Sequence, residues 1–537
     1  MYPLLWLAVD LAAGSARAAG DHVEVDTTGA SLVRPPTPPA TPMAAADRWF
    51  YDGEWQKAAL ALDAVRRTSP TDAQRAQFRL AIALYHLGLL QASYAVFSEI
   101  SDQPNHLEFD ATLPWLAKLA TDLPEPADVI ERVGKYTHAQ IARLAGQRDL
   151  YAHLEYLLGR YEYRNRQYER ALDSFALVAR GSKYWAPSQF FGGISNLQLR
   201  RSAPAERAFR GILDAGPDLE DAARMRDLAR LSMARLSYSE SIRLDARGET
   251  TIDARALGAA VREWGAVDAS SEYWLDATFE QSWAYFMAGD YSRALGNIHT
   301  LSAPYFPDAY YPEAEVLRAV IYLTQCQFED AAVIVTGMER KYQPVYAELA
   351  RVLGRFAGDD RQEPFFRFLQ QVERDRERGT HEAELPREIE PIVRRAFSDR
   401  QLLRNLQYVE ALEGESARFA RMDPAFRDSP LGSDVEDTLE LSREIALRNA
   451  ATLARDRYQR SLDELGEQLR SASRILVEIS RQLGPGGAQG SPSASSDHVV
   501  RADPEHVLWP FRDEFWRDEL GTYRQAIVSK CDTRQRR

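Results

Sequence analysis

Side chains that commonly carry out catalysis or hold metals are few and scattered along this chain of 537 residues. The stretch HEAEL at His381 begins like a zinc-protease motif, in which two histidines four residues apart bind the metal. Leu385 stands where the second histidine is needed, however. The phosphate-binding motif GxGxxG and the hydrolase motif GxSxG do not occur. The sequence therefore predicts no catalytic residues, no bound metal and no cofactor.

Aromatic and arginine side chains are the more informative residues. Tyr156, Arg160, Tyr163 and Arg164 lie at positions i, i+4, i+7 and i+8, a spacing that places them on one face of a helix. Tyrosine and arginine often anchor protein–protein interfaces, so we predict a partner-binding surface here; packing against neighbouring helices is the alternative. The other candidate partner-binding residues are Trp283, Phe286, Trp509, Phe515, Trp516 and Tyr523.

The charge balance and the cysteine count exclude several classes of protein. A net charge of −13 disfavours a nucleic-acid-binding surface, which needs clustered basic side chains. Two cysteines, Cys326 and Cys531, are too few for a disulfide framework or a four-cysteine zinc site. We expect both thiols to be unpaired, and a disulfide between them in an oxidising compartment is the alternative.

Helical periodicity dominates from about residue 46, and signals for strands and hairpins are nearly absent. A turn followed by a helix with a small residue recurs, and neighbouring copies are separated by 35, 34 and 37 residues. This period indicates pairs of helices that stack in a solenoid, so the sequence predicts an all-α fold. The small residues that mark the repeat are Ala58, Ser93, Ala171, Ala205, Ala294 and Ala331.

These repeats resemble those of a divergent tetratricopeptide (TPR) protein, in which small residues on both helices accompany a glycine turn and an aromatic residue on the second helix. Gly159 and Gly193 match the first-helix position, and Phe175 and Phe209 match the second-helix aromatic. The resemblance implies a solenoid whose first helices line a concave face that binds a peptide or a partner segment. The chain departs from the pattern at Glu162, Arg166, Ser282 and Cys326.

Composition divides the chain into segments. A Pro-rich stretch precedes the repeats, and a Gly/Ser-rich stretch precedes the last aromatic residues. The predicted segments are a signal peptide over 1–20, a Pro-rich linker over 21–45, the TPR-like solenoid over 46–356, a helical extension over 357–432, a long helix over 433–483, a disordered linker over 484–502 and an aromatic tail helix over 503–537.

The long helix carries apolar residues at 4-3 spacing from Tyr458 to Leu483, which is typical of a coiled-coil seam. We expect this seam to pack against helical residues 386–420 of the same chain. A homodimeric coiled coil is the alternative that we do not favour, because the seam is short.

The aromatic tail combines an apolar stripe with a charged opposite side. Trp516, Leu520, Tyr523 and Ile527 follow 4-3-4 spacing, which predicts an amphipathic helix. Its charges are of both signs, so we expect it to dock in a protein groove and not on a membrane surface. The groove can belong to this chain or to a partner. We favour this chain, because the last apolar face of a solenoid needs a cover.

The N-terminus suggests a compartment. Leu4 to Ala13 is apolar except for Asp10, and Ala16 and Ala18 provide small residues at a cleavage-type spacing. The signal is atypical, since no Lys or Arg precedes the apolar run, but we expect export to the periplasm. If this signal does not function, the expected location is the cytoplasm. No other apolar run is long enough to cross a membrane, so we expect no integral membrane segment.

In its arginine-rich composition and its long helical C-terminal extension, the chain also resembles the large envelope TPR proteins of myxobacteria and their relatives. This resemblance implies a non-enzymatic scaffold that binds a protein partner or a peptide segment in a cell-envelope complex, of which the gliding-motility apparatus is one example. The alternatives are a peptidoglycan-active envelope enzyme and a cytoplasmic TPR adaptor or co-chaperone. No nucleic-acid partner is expected.

Overall fold

A computed structural model describes residues 41–216, 221–244, 250–306, 309–358, 361–380, 389–390, 392–393, 400–483, 507–510 and 514–531. The predicted signal peptide, the linker over 484–502 and most of the Pro-rich linker lie outside these residues. The described residues form two compact units. The first contains residues 41–211 and 400–452, with Gly216, and the second contains the described parts of 212–215, 221–399 and 453–531.

The fold is all-α and solenoid-like, as predicted. The helices, in chain order, are α1 (Pro42–Tyr51), α2 (Trp55–Thr68), α3 (Ala73–His86), α4 (Leu90–Ser101), α5 (Leu113–Asp122), α6 (Val129–Val133), α7 (His138–Ile141), α8 (Arg148–Arg164), α9 (Tyr168–Ala176), α10 (Trp185–Gln198), α11 (Ser202–Leu213), α12 (Ala222–Ser241), α13 (Ala254–Gly265), α14 (Trp274–Met287), α15 (Tyr291–Leu301), α16 (Pro312–Thr324), α17 (Phe328–Arg355), α18 (Gln362–Arg378), α19 (Arg400–Phe419), α20 (Pro424–Arg427) and α21 (Pro430–Leu483).

Successive helices pack in pairs within each unit. In the first unit α1 packs on α2, α3 on α4 and α8 on α9; in the second, α12 packs on α13, α14 on α15 and α16 on α17. The short helices α5 to α7 occupy the region in which the repeat pattern of the sequence is interrupted. Two strands that the sequence did not predict, β1 (Ile242–Leu244) and β2 (Thr250–Ile252), pair antiparallel beside α12.

Small residues let paired helices approach, and an aromatic ring fills the space. A Cβ on Gly193 of α10 would lie 2.4 Å from the ring of Phe209 on α11, and one on Gly159 of α8 would lie 2.5 Å from Phe175 on α9. Both rings are at most 2% exposed. The six small residues that mark the repeat are all completely buried. The repeat in the sequence is therefore a packing pattern, in which the missing side chain on one helix accommodates the ring on the next.

The turns between paired helices contain a residue in the left-handed region. Gly53, Gly88 and Gly289 have φ between +72° and +74°, a conformation that glycine adopts without steric cost. Arg166 and Cys326 occupy the equivalent turns with φ of 59° and 54°. The sequence departs from the repeat pattern at these two positions, but the backbone does not.

Most of the seam of α21 is buried or partly buried within the second unit, and Leu483 at its end is exposed. The rings of Tyr458 and Phe365 of α18 have centroids 6.2 Å apart, and Gly466 lies against Tyr346 of α17. The described contacts of the seam are thus with α17 and α18. Most of residues 386–399, the first part of the partner that the sequence predicts, lie outside the described residues. An earlier part of α21 meets α19 in the first unit, through Arg443 and Glu413, 3.3 Å apart.

The aromatic tail is not a helix. Within residues 514–531 the structure has one 3₁₀ turn, Arg517–Glu519, and otherwise extended or irregular backbone. Gly521 has a φ of +84°, which interrupts any helix. The predicted tail helix over 503–537 is therefore wrong in its described part, although these residues do dock on this chain.

Cys326 and Cys531 form a disulfide. The docked tail brings their Cα atoms to 5.0 Å, within the range that a disulfide requires. The expectation of two unpaired thiols is therefore wrong. Among the described residues, no helix is both long enough and apolar enough to cross a membrane.

The interlock of small residues and rings predicts opposite effects for two glycine substitutions. We expect Gly193→Ala to lower the free energy of unfolding by about 1–3 kcal/mol, because the new methyl group overpacks against Phe209. Gly414→Ala, in α19 with no atom within 4 Å of its Cβ position, should raise it by about 0.5–1 kcal/mol through helix propensity alone. Urea denaturation measures both, and equal effects would refute the packing argument.

Candidate functional site

The four residues of the predicted binding face on α8 lie in different environments. Tyr156 is 5% exposed and belongs to a cluster of rings that includes Phe191. The guanidinium of Arg160 lies 4.5 Å from the centroid of the Phe191 ring. Tyr163 is half-buried, and Arg164 forms an exposed ion pair. Tyr156 and Arg160 are therefore internal packing residues, which corrects their prediction as partner-binding residues.

Arg160 is part of a charge cluster that includes a residue far away in sequence. Its guanidinium donates to Glu125, at 2.5 Å, and Arg404 of α19 forms an ion pair with the other carboxylate oxygen. Burial alone would raise the pKa of Glu125, but the charges of Arg160 and Arg404 outweigh it and hold that pKa below its usual value. One carboxylate thus joins α8 to α19.

A second carboxylate, that of Glu415 on α19, binds the beginning of a repeat helix. Glu415 accepts hydrogen bonds from the backbone N–H groups of Gln91 and Ala92 at 2.9–3.2 Å. These groups begin α4 and have no partner within their own helix. Tyr408 donates to the Gln91 side chain at 2.9 Å. In the first unit, α19 therefore supplies hydrogen-bond partners for the polar groups at the beginning of α4.

The second unit holds the more informative site. Residues 514–531, which we call the tail segment, lie along α15 and reach the turn between α16 and α17. We call the surface that receives them the tail groove; it consists of α15, the start of the loop that follows it, α16, the turn that follows α16 and the start of α14. The residues of the groove that contact the tail segment are Trp274, Ser292, Gly296, His299, Thr300, Tyr305, Tyr322, Gln325 and Gln327.

The tail segment is held mainly through its backbone. Gly521 donates its N–H to Thr300 Oγ1 at 3.0 Å, and Gln525 donates its N–H to the carbonyl of Ser292, also at 3.0 Å. Tyr305 donates to the carbonyl of Phe515 at 2.7 Å. Eight residues of a helix and four of an extended chain both span about 12–13 Å, so residues 521–525 match the stretch of α15 from Thr300 to Ser292.

Gly296 makes this close approach feasible. A Cβ at this position would lie 1.7 Å from the carbonyl oxygen of Tyr523 and 2.4 Å from its carbon. No side chain fits between α15 and the tail backbone here, so the glycine is required by the groove and not by a turn.

Alternate side chains of the tail segment enter the groove. Ile527 is 4% exposed and joins a cluster that includes Ala294, Leu295 and Ile321. The ring of Tyr523 meets His299 edge-on, with centroids 5.0 Å apart. Gly521, Tyr523, Gln525 and Ile527 thus follow the two-residue period of an extended chain.

His299 also stacks on Phe515, with centroids 4.5 Å apart and ring planes 14° apart. Burial, reinforced by the charge of Arg318, lowers the pKa of His299. The imidazole is therefore neutral at pH 7, which suits its contact with two aromatic rings.

The predicted residues of α14 lie behind the groove and not on a free surface. Trp283 and Phe286 are half-buried, pack against the cluster that receives Ile527 and meet edge-on at 5.9 Å. Their described contacts are therefore internal to the second unit.

Part of the tail remains exposed beside the groove. Val507, Leu508, Trp509 and Trp516 are 83%, 56%, 58% and 39% exposed, and we call them the aromatic patch. The rings of Trp509 and Trp516 meet at 5.2 Å. Among the predicted partner-binding residues, these two tryptophans are the exposed aromatic side chains, and Arg164 is exposed as well.

Sequence reasoning missed Gly296, Thr300 and Glu415. Gly296 lies inside a helical pattern, and such a glycine signals a close backbone approach. The alternation of residues 521–527 after Gly521 was a second available signal, because it favours an extended chain. No local signal identifies Glu415, since its partners lie more than 300 residues away.

The Glu125 cluster predicts a large effect of removing one charge. We expect Glu125→Gln to lower the free energy of unfolding by about 3–5 kcal/mol, because Arg160 and Arg404 then lose their counter-charge at 11% and 15% side-chain exposure. Since the pKa of Glu125 is depressed, its stabilisation exists at neutral pH and is lost as pH falls below about 4.5. Denaturation from pH 3 to 7 measures both effects. Asp110→Asn breaks an exposed pair with Arg143 and should cost under about 1 kcal/mol.

The close contact between Gly296 and the backbone of Tyr523 predicts that a single added methyl group displaces the tail segment from the groove. We expect trypsin to cleave Gly296→Ala protein at Arg524 at least about tenfold faster than the unaltered chain. Each 1.4 kcal/mol by which the docked tail segment is destabilised increases the population of the released segment about tenfold. Mass spectrometry of the digest under reducing conditions gives the rate. Gly337→Ala, in α17 with nothing within 4 Å, is the control and should leave this rate unchanged.

In the part of the chain that the structure describes, no group of three or more His, Cys, Asp or Glu side chains could hold a metal ion. No protein-family model and no curated protein matches the chain.

Proposed function

We propose that this protein is a non-enzymatic scaffold that binds protein partners in a bacterial cell envelope, and that the aromatic patch is its main contact surface. The observation that carries the proposal is the exposure of Trp509 and Trp516. Trp516 lies on the tail segment, which backbone hydrogen bonds and a disulfide hold in the second unit, and the ring of Trp509 contacts that of Trp516.

The position of Trp516 supports this role. The hydroxyl of Tyr523 accepts from the backbone N–H of Trp516 at 2.8 Å and donates to its carbonyl at 3.1 Å. Tyr523 is in turn held over Gly296. A tryptophan fixed in this way loses little conformational entropy when a partner covers it, and tryptophan is enriched among the residues that dominate binding energy.

The disulfide supports the compartment. Disulfides persist in oxidising environments, which include the bacterial periplasm, and are rare in the cytosol. The apolar N-terminal stretch predicts export to the same compartment. A periplasmic location is thus favoured over that of a cytoplasmic adaptor or co-chaperone.

The helical-pair repeats and their resemblance to TPR proteins support a scaffold. Stacked pairs present long surfaces to partners, and a fold of this kind by itself implies no reaction. The resemblance to the large envelope TPR proteins of myxobacteria extends the proposal to a multiprotein envelope machine, with the gliding-motility type as an example.

In vivo crosslinking followed by mass spectrometry tests the proposal. The intact chain should yield a reproducible set of crosslinked envelope proteins, and Trp509→Ala and Trp516→Ala should each reduce that yield by about 30-fold, the equivalent of a 2 kcal/mol contribution. Val333→Ala, in α17 at 73% exposure, removes an exposed apolar side chain elsewhere and should have no effect. Equal yields from all four chains would contradict the role of the aromatic patch.

A further inference from the structure

We propose that the tail groove is a binding site for extended segments of partner proteins, and that the disulfide Cys326–Cys531 controls its occupancy by holding the chain's own tail segment in it. Reduction releases this internal occupant and opens the groove. The groove consists of residues other than those of the aromatic patch, although the tail segment that it holds carries Trp516 of that patch. The inference therefore goes beyond the proposed scaffold function and does not require it.

The groove has the properties of a site for an extended chain. Its polar groups bind backbone atoms: Thr300, the Ser292 carbonyl and Tyr305 contact the tail segment at N–H or C=O groups that every peptide has. Gln327 likewise donates to the carbonyl of Val528 at 2.7 Å. Backbone recognition supplies affinity that does not depend on sequence, as in other modes of binding extended peptides.

Three positions select the side chains of the occupant. The apolar pocket receives Ile527, which is 4% exposed. Tyr322 accepts a hydrogen bond from the Gln525 side chain at 2.7 Å. Trp274 lies 2.9 Å from the Cβ position of Gly521, whose φ is +84°, so glycine is favoured there. The ligand class is therefore an extended peptide with glycine, glutamine and an aliphatic residue at positions n, n+4 and n+6.

Noncovalent anchoring of the tail segment is slight at its C-terminal end. Val528 is 52% exposed, and Lys530 forms an exposed ion pair with Asp330. Beyond Ile527 the chain is held by two backbone hydrogen bonds, one at the carbonyl of Val528 and one at the N–H of Lys530, and by the disulfide. A peptide that competes with the tail segment faces a high local concentration of the attached tail, and the covalent bond prevents exchange altogether.

The position of Cys326 supports a role for the bond itself. This residue has a φ of 54° at the turn where Gly53, Gly88 and Gly289 have φ of 72–74°. The turn places the thiol of Cys326 where it reaches Cys531. Both cysteines are partly exposed, so a reductant has access.

The redox step uses a dithiol of a thiol oxidoreductase as the reductant. One of its thiolates attacks a sulfur of the disulfide, forms a mixed disulfide and expels the other cysteine as a thiolate, which takes up a proton. The second thiol of the reductant then attacks the mixed disulfide and expels the remaining cysteine. The protein gains two thiols, and the dithiol leaves as a disulfide.

A peptide with the sequence of residues 514–531 tests the proposal in the full-length chain. The peptide carries an N-terminal fluorophore, and its cysteine is activated as a mixed disulfide with 2-thiopyridine. The protein carries Cys531→Ser, which leaves Cys326 as a free thiol and removes the covalent bond. We expect saturable labelling of Cys326, mapped by mass spectrometry, and no labelling of the oxidised wild-type chain.

Two altered peptides separate groove binding from thiol reactivity. A peptide with Ile527→Asp should label Cys326 at least about tenfold more slowly, because the apolar pocket rejects a carboxylate. A peptide with Val528→Asp, which changes the exposed neighbour, should label at the rate of the unaltered peptide. Equal rates for all three peptides would show that Cys326 reacts without recognition and would overturn the binding site.

The remaining outcomes also decide the proposal. If the unaltered peptide fails to label Cys531→Ser protein, the attached tail stays seated without the bond, and control by the disulfide is refuted. The Cys531→Ala variant leaves Cys326 as the free thiol through a different substitution, so a folding defect of one variant does not decide the result. Loss of crosslinked partners in tryptophan variants is a separate outcome and concerns the aromatic patch alone.

Discussion

Close approach of neighbouring segments, made feasible by a missing side chain, is the interaction on which this structure depends. Gly193 accepts the ring of Phe209, and Gly159 accepts that of Phe175, so paired helices interlock at contacts that a methyl group would block. Gly296 uses the same device for a different purpose, because it admits the backbone of Tyr523 and not a ring. The fold thus binds its own repeat helices and its own tail by one physical principle: close-packed surfaces need small residues at the point of contact.

A solenoid of helical pairs leaves helix ends and apolar faces to be covered, and here the C-terminal region covers them within each unit. In the first unit Glu415 accepts the N–H groups that begin α4, and Arg404 shares Glu125 with Arg160. In the second unit the tail segment covers α15 and α16. Residues of the repeat that resemble a binding face are consequently engaged by the chain itself, which leaves the tail to carry the exposed tryptophans.

The sequence predicted what local periodicity determines and missed what depends on distant contacts. Small residues 34–37 positions apart specified the helical pairs, because that spacing reflects one repeated packing unit. The tail was misjudged because Trp516, Leu520, Tyr523 and Ile527 fit a helical stripe, whereas backbone hydrogen bonds from α15 favour an extended chain. The disulfide was missed for a related reason: a separation of 205 residues gives no distance in space until the path of the tail is known.

The tail groove and the aromatic patch are mechanically connected, which links the two proposals. The disulfide fixes Cys531, the pocket fixes Ile527, and Gly296 admits the backbone that places Tyr523. The Tyr523 hydroxyl then bonds to both backbone groups of Trp516. A tail released from the groove would retain Trp516 but lose the contacts that orient it, and an unoriented side chain binds more weakly because its ordering costs free energy. An open groove and an ordered patch are therefore alternative states of one segment, and the disulfide favours the second.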